Sequence, residues 1–251
     1  MVMDFFRFQT DYYGKVGFSL FGPNHIIWLL ILLIVCVMST WWYKKLTIDK
    51  QDIVNIILGV AMPVMGIYRD IVLVITGHFD EGFLPLHLCS MALWIGAIYV
   101  LTKWRYIGVV YVLLCVPGAI SALLFPDWNM YPLFNYMHIH SFLSHGCIVI
   151  LGIWLVASGK IRINIRDIWM PLSFAIIGVM IIYPINCWLG TNYWFLNSPS
   201  DGSPLVYIEH IFGEKGYLLG YGLFCFLIML IWWGFLKLVF SLTKKYNRVD
   251  I

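Results

Sequence analysis

The sequence predicts an all-α membrane protein, a polytopic bundle of seven transmembrane helices. Hydrophobic residues make up 61% of the 251 residues and charged residues only 12%, which is far from the composition of a soluble globular domain. Apolar stretches long enough to cross about 30 Å of hydrocarbon must be helical, because an open strand would leave backbone groups unpaired in lipid. The predicted spans are residues 26–43, 53–76, 83–101, 106–125, 135–156, 168–189 and 217–242.

The distribution of charge predicts the orientation of the bundle. Most of the 16 lysine and arginine residues follow the first, third, fifth or seventh span, whereas the other connections hold acidic residues such as Asp80, Glu81 and Asp127. Positive charge favours the cytoplasmic side, so we expect an N-terminus outside, a cytoplasmic C-terminus and a multi-pass location in the plasma membrane. The basic residues on the predicted inner side are Lys44, Lys45, Lys50, Lys103, Arg105, Lys160, Arg162, Arg166, Lys237, Lys244, Lys245 and Arg248.

The chain is expected to be a single domain, residues 1–251, with one long external loop at about 190–216. A loop of this length is usually functional or disordered, and its aromatic and turn residues suggest that it covers an outward-facing cavity. The basic residues form short clusters between apolar runs and not one continuous face, which argues against a nucleic-acid partner. No feature indicates a protein partner.

All histidines fall on the predicted outer side, and three of them lie within the fifth span. Titratable groups at membrane depth are costly, so they usually face a protein interior or a wet cavity and have a function. Along the fifth span, Asn135, His138, Ser141 and His145 follow one helical stripe, which we expect to face the bundle interior. His140 and Ser144 form a second line. The seven histidines are His25, His78, His87, His138, His140, His145 and His210.

Other polar residues of the outer half are further candidates. Arg69 and Asp70 are adjacent in the second span, where they either form an internal ion pair or anchor a ligand. His25 lies at the mouth of the first span and is read either as interfacial or as lining the site. Asn192 and Tyr193 follow the sixth span, which carries Pro184, and we expect them at a partly unwound helix end.

Cys89 near the start of the third span is the candidate nucleophile. A thiol needs a base to take its proton at neutral pH, and a nearby histidine can do so. A Cys89–histidine pair in the outer leaflet would therefore predict acyl transfer or hydrolysis on ester lipids. Counting residues along the helices places His138 or Ser141 nearer the depth of Cys89 than His145. His87 is about 200° from Cys89 around a regular helix, so both should not face one cavity.

Five segments together resemble the transmembrane protein 164 family and its bacterial YwaF-type relatives. They are residues 20–25 (LFGPNH), 84–89 (LPLHLC), 117–119 (PGA), 134–146 with their three histidines, and 189–193 (LGTNY). The resemblance implies a membrane acyltransferase of phospholipid remodelling that works through an intramembrane cysteine and histidine. Carried onto this sequence, the pair is Cys89 and His145, with His87, His138 and His140 as alternative bases. The expected partner is a membrane phospholipid or lysophospholipid, and no cofactor is expected.

Two other interpretations remain open from the residues. A metal hydrolase of the alkaline-ceramidase type would use histidines and a carboxylate to bind zinc and activate water, with His87, His138, His145 and Asp70 as possible ligands. A protein without enzymatic activity would use the same polar residues to bind or transport lipid. The inner halves of the spans offer few polar residues, which favours binding over transport.

Overall fold

The residues that the structure describes form seven long helices, which confirms the predicted fold class. The computed structural model describes residues 5–8, 10 and 17–246, with side chains up to residue 239; Arg248, which contributed to the charge pattern, lies outside the described residues. All seven helices are long and apolar enough to span a membrane. The spans of the third and sixth helices include the short 3₁₀ turns that precede them, Glu81–Phe83 and Ile165–Ile168. The seven helices are α1 (Pro23–Tyr43), α2 (Ile48–Ile75), α3 (Leu88–Thr102), α4 (Arg105–Leu124), α5 (Tyr136–Ala157), α6 (Trp169–Leu189) and α7 (Leu205–Tyr246).

The core of the bundle is centred on α4 and α5. The middle turn of α4, Tyr111–Cys115, is a buried π-helix in which Val116 N–H donates to the carbonyl of Tyr111. The next bond of this kind would need an N–H at residue 117, which is proline. The carbonyl of Val112 is left for the indole of Trp232 in α7, which donates to it at 2.9 Å. The irregular turn therefore attaches α7 to the centre of the bundle.

Ion pairs join the connections at the end of the bundle where α1, α3 and α5 finish. Asp52 at the start of α2 accepts from Lys103 at 3.2 Å and from Lys160 at 2.7 Å. Arg105 at the start of α4 pairs with Asp167 before α6 at 2.6 Å. These contacts hold three successive helix pairs together.

At the opposite end, called here the histidine end, α1, α3, α5 and α7 begin. Residues 190–204, called the cover loop, fold back over the segment that leads into α3. The phenol of Tyr193 donates to the carbonyl of Glu81, and the indole of Trp194 donates to the carbonyl of Leu86 at 2.8 Å. The indole fits because residue 178 of α6 is glycine: a Cβ there would lie 2.3 Å from the Trp194 ring.

Two predicted boundaries differ from the structure. The long loop ends at residue 204 and not at 216, because Pro204 and the Ser203 hydroxyl, which accepts from Leu205 N–H at 3.3 Å, start a helix there. This helix is interrupted at Gly213, whose φ of 69° and ψ of 167° only glycine adopts readily. The third helix begins at Leu88 and not at 83, since His87 has an extended backbone (φ −63°, ψ 145°).

Candidate active site

The first polar line of α5 faces the protein interior, as predicted, and so does the second. Asn135, His138 and His145 are at most 6% exposed, and His140 and Ser144 of the second line are also buried. Both lines are covered because α5 packs against α1, α2, α3 and α4. The packing of α5 therefore keeps these polar side chains largely away from lipid.

His145 is held in one tautomer by its own helix. Its Nδ1 lies 2.7 Å from the carbonyl oxygen of Ser141, one turn earlier. A carbonyl oxygen can only accept, so Nδ1 carries the proton and Nε2 of the neutral ring presents a lone pair. The indole of Trp128 stacks on the ring with centroids 5.0 Å apart and planes 17° apart. The side chain is thus oriented from two directions with its basic nitrogen unused.

Asp127 in the connection from α4 to α5 completes this environment, although it was not among the predicted site residues. The carboxylate interacts electrostatically with both His145 and Cys89. The residue is exposed overall, but the protein around the carboxyl desolvates it and raises its pKa above the usual aspartate value, an effect that the neighbouring His145 partly offsets. In the sequence, Asp127 is one of several acidic residues in the connections.

Cys89 lies in the first turn of α3, at the positive end of the helix. The residue is half-buried, and its thiol contacts the backbone N–H and the hydroxyl of Ser90. Its surroundings hold positive charge from the helix start and from Arg69, and negative charge from Asp127. A thiol in this mixed environment needs a base to take its proton.

Asp127 lies close enough to both residues to interact electrostatically, attracting an imidazolium at His145 and repelling a thiolate at Cys89. Across the residues that the structure describes, no hydrogen bond joins Cys89 Sγ to an imidazole, while both side chains interact with the Asp127 carboxylate. Catalytic hydrogen bonds often close only when substrate is bound. Counting residues along the helices placed His138 nearer than His145 to the depth of Cys89. In the structure, His138 instead lies in an aromatic cluster of Phe18, Trp28 and Phe142.

Arg69 and Asp70 form the internal ion pair that was one of their two predicted roles. Arg69 Nε and Nη2 donate to Asp70 Oδ1 at 2.8 and 2.6 Å, and Nη2 also donates to the carbonyl of Phe83 at 2.9 Å. The guanidinium interacts electrostatically with His87, Cys89 and His140. Arg69 therefore brings a guanidinium, partly neutralised by Asp70, to the centre of the histidine end.

His87 and Cys89 come close to the same cation even though their sequence spacing argued against it. His87 precedes the helix, so the 200° separation of a regular helix does not apply. Its ring lies 5.0 Å from the ring of Tyr193 and 6.0 Å from that of Phe195. His87 is thus the contact between the cover loop and the polar cluster.

His25 makes two hydrogen bonds that explain its complete burial. Its Nε2 donates to the carbonyl of Leu123 at 2.8 Å, and its Nδ1 accepts from Phe21 N–H at 3.0 Å. Both ring nitrogens are therefore used to join the start of α1 to the end of α4.

The cover loop is organised by two asparagines. Asn192 accepts from the backbone N–H of Asn197 and donates to the Ser198 carbonyl, which gives it a role inside the loop. Asn186 of α6 is fully buried and binds both backbone groups of Tyr193, accepting at 2.8 Å and donating at 2.9 Å. Burial raises the pKa of the Tyr193 phenol.

Two cavities lie on either side of α2 at this end. The smaller, about 40 Å³, is lined by Arg69 and Asp70 with Pro85, Ser90 and their neighbours on α2 and α3. The larger, about 310 Å³, lies between α2 and α5 and has His140 in its wall. Cys89 and His145 line neither cavity. Ser90, which contacts Cys89, lines the smaller one, and His140, which interacts electrostatically with His145, lines the larger one.

The four residues considered as zinc ligands are not brought together. His87 contacts the cover loop, His138 lies in the aromatic cluster by α1, and Asp70 pairs with Arg69. Within the described part of the chain, no three His, Cys, Asp or Glu side chains are grouped so that they could hold a metal ion.

Comparison with known proteins gives one match. A model described as the TMEM164 family matches residues 20–233, a range that contains every candidate residue discussed above. No curated protein and no solved structure gives a match.

Proposed function

The chain belongs to the TMEM164 family, and from this premise and the cluster at the histidine end we propose that it transfers or hydrolyses acyl groups of membrane lipids through Cys89 and His145. The zinc-hydrolase interpretation has no grouping of ligands to support it among the described residues. Lipid binding without chemistry would not require a histidine held in one tautomer at the same end of the bundle as a cysteine at a helix start.

The fixed tautomer of His145 carries the proposal. Its Nδ1–H is committed to the Ser141 carbonyl, so Nε2 is the nitrogen able to accept a proton. Asp127, which interacts electrostatically with both the imidazole and Cys89, stabilises the imidazolium that such a transfer creates. Cys89 and His145 take the roles of nucleophile and base, and Asp127 stabilises the imidazolium without orienting it, because the Ser141 carbonyl holds the Nδ1–H.

The reaction would proceed in two balanced steps. First, the Cys89 thiol gives its proton to His145 Nε2 and Sγ attacks the ester carbonyl of a phospholipid; the bond from carbonyl carbon to glycerol oxygen breaks, and the imidazolium returns the proton to the departing hydroxyl. Second, the hydroxyl of a lysophospholipid, or water, gives its proton to the same nitrogen and attacks the thioester, which releases the thiol. Developing oxyanion charge would be stabilised by the first turn of α3 and by Arg69.

The setting of this chemistry is a multi-pass membrane protein. We place the histidine end at the outer leaflet of the plasma membrane, because the basic residues concentrate at the other end of the bundle. The partner is then a phospholipid or lysophospholipid of that leaflet.

The test is turnover by purified protein with defined lipids. Protein reconstituted with a phospholipid carrying one labelled acyl chain and with lysophospholipid should move the label to the lysophospholipid or release it as fatty acid. Cys89→Ala should abolish this turnover, and His145→Gln should reduce it at least a hundredfold, as expected for loss of a general base. Cys187→Ala is the matched control, since Cys187 is exposed on α6. Unchanged turnover in Cys89→Ala would end the proposal.

A further inference from the structure

A groove on the lipid-facing side of the bundle lies between α2 and α5. Its wall is formed by Val64, Met65 and Tyr68 of α2 and by Tyr136, Ile139, His140 and Leu143 of α5. Val64, Tyr68 and Leu143 are 56%, 53% and 44% exposed although all lie within membrane-spanning segments. The groove is therefore open sideways to the bilayer, and its volume of about 310 Å³ is near the lower limit of small-molecule pockets.

The groove descends from the helix end into the bilayer. From Tyr136 to Leu143 the helix rises by about 10 Å, which spans about a third of the hydrocarbon thickness. The upper end is closed by the rings of Tyr68 and Tyr136, whose centroids are 5.8 Å apart. The lower part is lined by aliphatic side chains. A shape of this kind suits one segment of hydrocarbon chain aligned with the bilayer.

Two polar groups stand at the upper end of this apolar groove. The Tyr136 hydroxyl is buried and makes no hydrogen bond among the described residues, which leaves a donor without a partner in a place where this is costly. The His140 ring lies 5.8 Å from the ring of Tyr136. Both residues interact electrostatically with Arg69, so the cationic centre is adjacent to the groove.

His140 also connects the groove to the candidate active site. It interacts electrostatically with His145 as well as with Arg69. A lipid with one chain in the groove would have its ester region at Tyr136 and His140, and His140 interacts with His145. An ester carbonyl is an acceptor that could satisfy the Tyr136 hydroxyl.

We propose that the groove between α2 and α5 binds one acyl chain of a glycerophospholipid that enters sideways from the bilayer, with Tyr136 donating a hydrogen bond to its ester region. The proposal rests on the proposed function in that the chain belongs to the lipid whose ester reacts. The occupant is a hydrocarbon chain because the open side of the groove faces lipid. The unpaired Tyr136 hydroxyl and the nearby Arg69 guanidinium match the ester and phosphate groups that follow such a chain in a phospholipid.

The test is photochemical labelling with a phosphatidylcholine that carries a diazirine in the middle of one acyl chain. Protein in nanodiscs containing this probe should be labelled in 64–68 and 139–143 at least fivefold more than in 176–181 of α6. The control segment is matched, because Ile177 and Met180 are 56% and 71% exposed on a spanning helix. Equal labelling of the two regions would show ordinary boundary lipid and overturn the proposal.

Variants distinguish a blocked groove from a loss of folding. Leu143→Trp should lower labelling of the groove at least fivefold, and Val64→Trp on the opposite wall should do the same if Leu143→Trp does not fold. Ile177→Trp on α6 should leave it unchanged. Tyr136→Phe, which keeps the ring and removes the hydroxyl, should lower labelling threefold to tenfold. Full labelling in both tryptophan variants would contradict the proposal.

The same experiment in Cys89→Ala distinguishes the two proposals. Labelling of the groove should persist there because the thiol does not line it. Groove labelling without acyl turnover in the unaltered protein would support the binding site and refute the proposed chemistry. Turnover without selective labelling would support the chemistry and refute the groove.

Discussion

Replacement of Asn186 by leucine is expected to release the cover loop from α6. Asn186 is fully buried and makes three hydrogen bonds: Nδ2 donates to the Tyr193 carbonyl at 2.9 Å, and Oδ1 accepts from Tyr193 N–H at 2.8 Å and from the Thr191 hydroxyl at 3.0 Å. Leucine has the same number and branching of side-chain heavy atoms and keeps none of these bonds. The loss leaves the Tyr193 N–H without its partner and the Tyr193 carbonyl with only the long bond from Leu196 N–H at 3.4 Å.

The magnitude follows from those three bonds. Each contributes about 1 kcal/mol net, so the closed form of the cover loop should lose about 3 kcal/mol. A change of this size is roughly a 150-fold shift in an opening equilibrium. Hydrogen exchange of the Tyr193 backbone N–H in detergent or nanodiscs should accelerate by roughly that factor. The packing of Tyr193 against His87, with centroids 5.0 Å apart, should loosen together with it.

The matched control is Asn197→Ala. Asn197 is exposed in the same loop, and its Nδ2 donates to the Thr191 carbonyl at 3.1 Å; because that bond is open to water, its loss should change Tyr193 exchange by less than about threefold. Unchanged exchange at Tyr193 in Asn186→Leu would refute the view that Asn186 holds the cover loop closed.

The remaining predictions concern packing, charge and sidedness. Gly178→Ala should displace Trp194, whose ring would lie 2.3 Å from the new Cβ, and should lower the stability to thermal unfolding by about 1–3 kcal/mol. The control Gly234→Ala, whose Cβ meets nothing within 4 Å, should be neutral or slightly stabilising. Equal effects of the two variants would contradict this packing. Turnover should fall as the pH drops through the pKa of Asp127, which desolvation raises, because protonation removes the charge that stabilises the imidazolium. Asp127→Asn should lower turnover about tenfold to hundredfold and abolish this fall at low pH. An unchanged pH profile in the variant would show that Asp127 is not part of the site. A membrane-impermeant maleimide added to intact cells should label Cys89 and not Cys225, which lies within α7; labelling of Cys89 only after permeabilisation would reverse the predicted orientation.

The spans were predictable because the signals for them are local. Length and hydrophobicity over some 20 residues decide whether a segment crosses the bilayer, and all seven predicted spans are helices in the structure. Helix ends were less predictable because they depend on single residues. Ser203 and Pro204 start α7 inside the predicted loop, and the extended backbone of His87 delays the start of α3.

The polar residues of the site were predictable as a group but not in their pairings. Helical spacing indicated that His138, His140 and His145 would be buried, and they are. Spacing along one helix carries no information on which neighbouring helix each face meets. Depth counting therefore favoured His138, which packs near α1, over His145, which shares Asp127 with Cys89.

Asp127 and Asn186 illustrate what a sequence alone does not reveal. Asp127 was counted among the acidic residues of the connections, because an isolated carboxylate beside a helix end has no distinguishing pattern. Its significance comes from the folding of residues 127 and 128 against His145, which lies nearly three helical turns after Asn135 in α5. Asn186 lies within an apolar span, and only the return of the cover loop gives its amide partners.

The most direct test of the central claim is the identification of the covalent intermediate. Protein mixed rapidly with a labelled phospholipid and quenched in acid should carry one acyl group as a hydroxylamine-sensitive thioester on Cys89, detected by intact mass and by peptide mapping. The acylated fraction should be lost in Cys89→Ala and should form more slowly in His145→Gln. Continued turnover with no acyl group on Cys89, or an acyl group on another cysteine, would contradict the account.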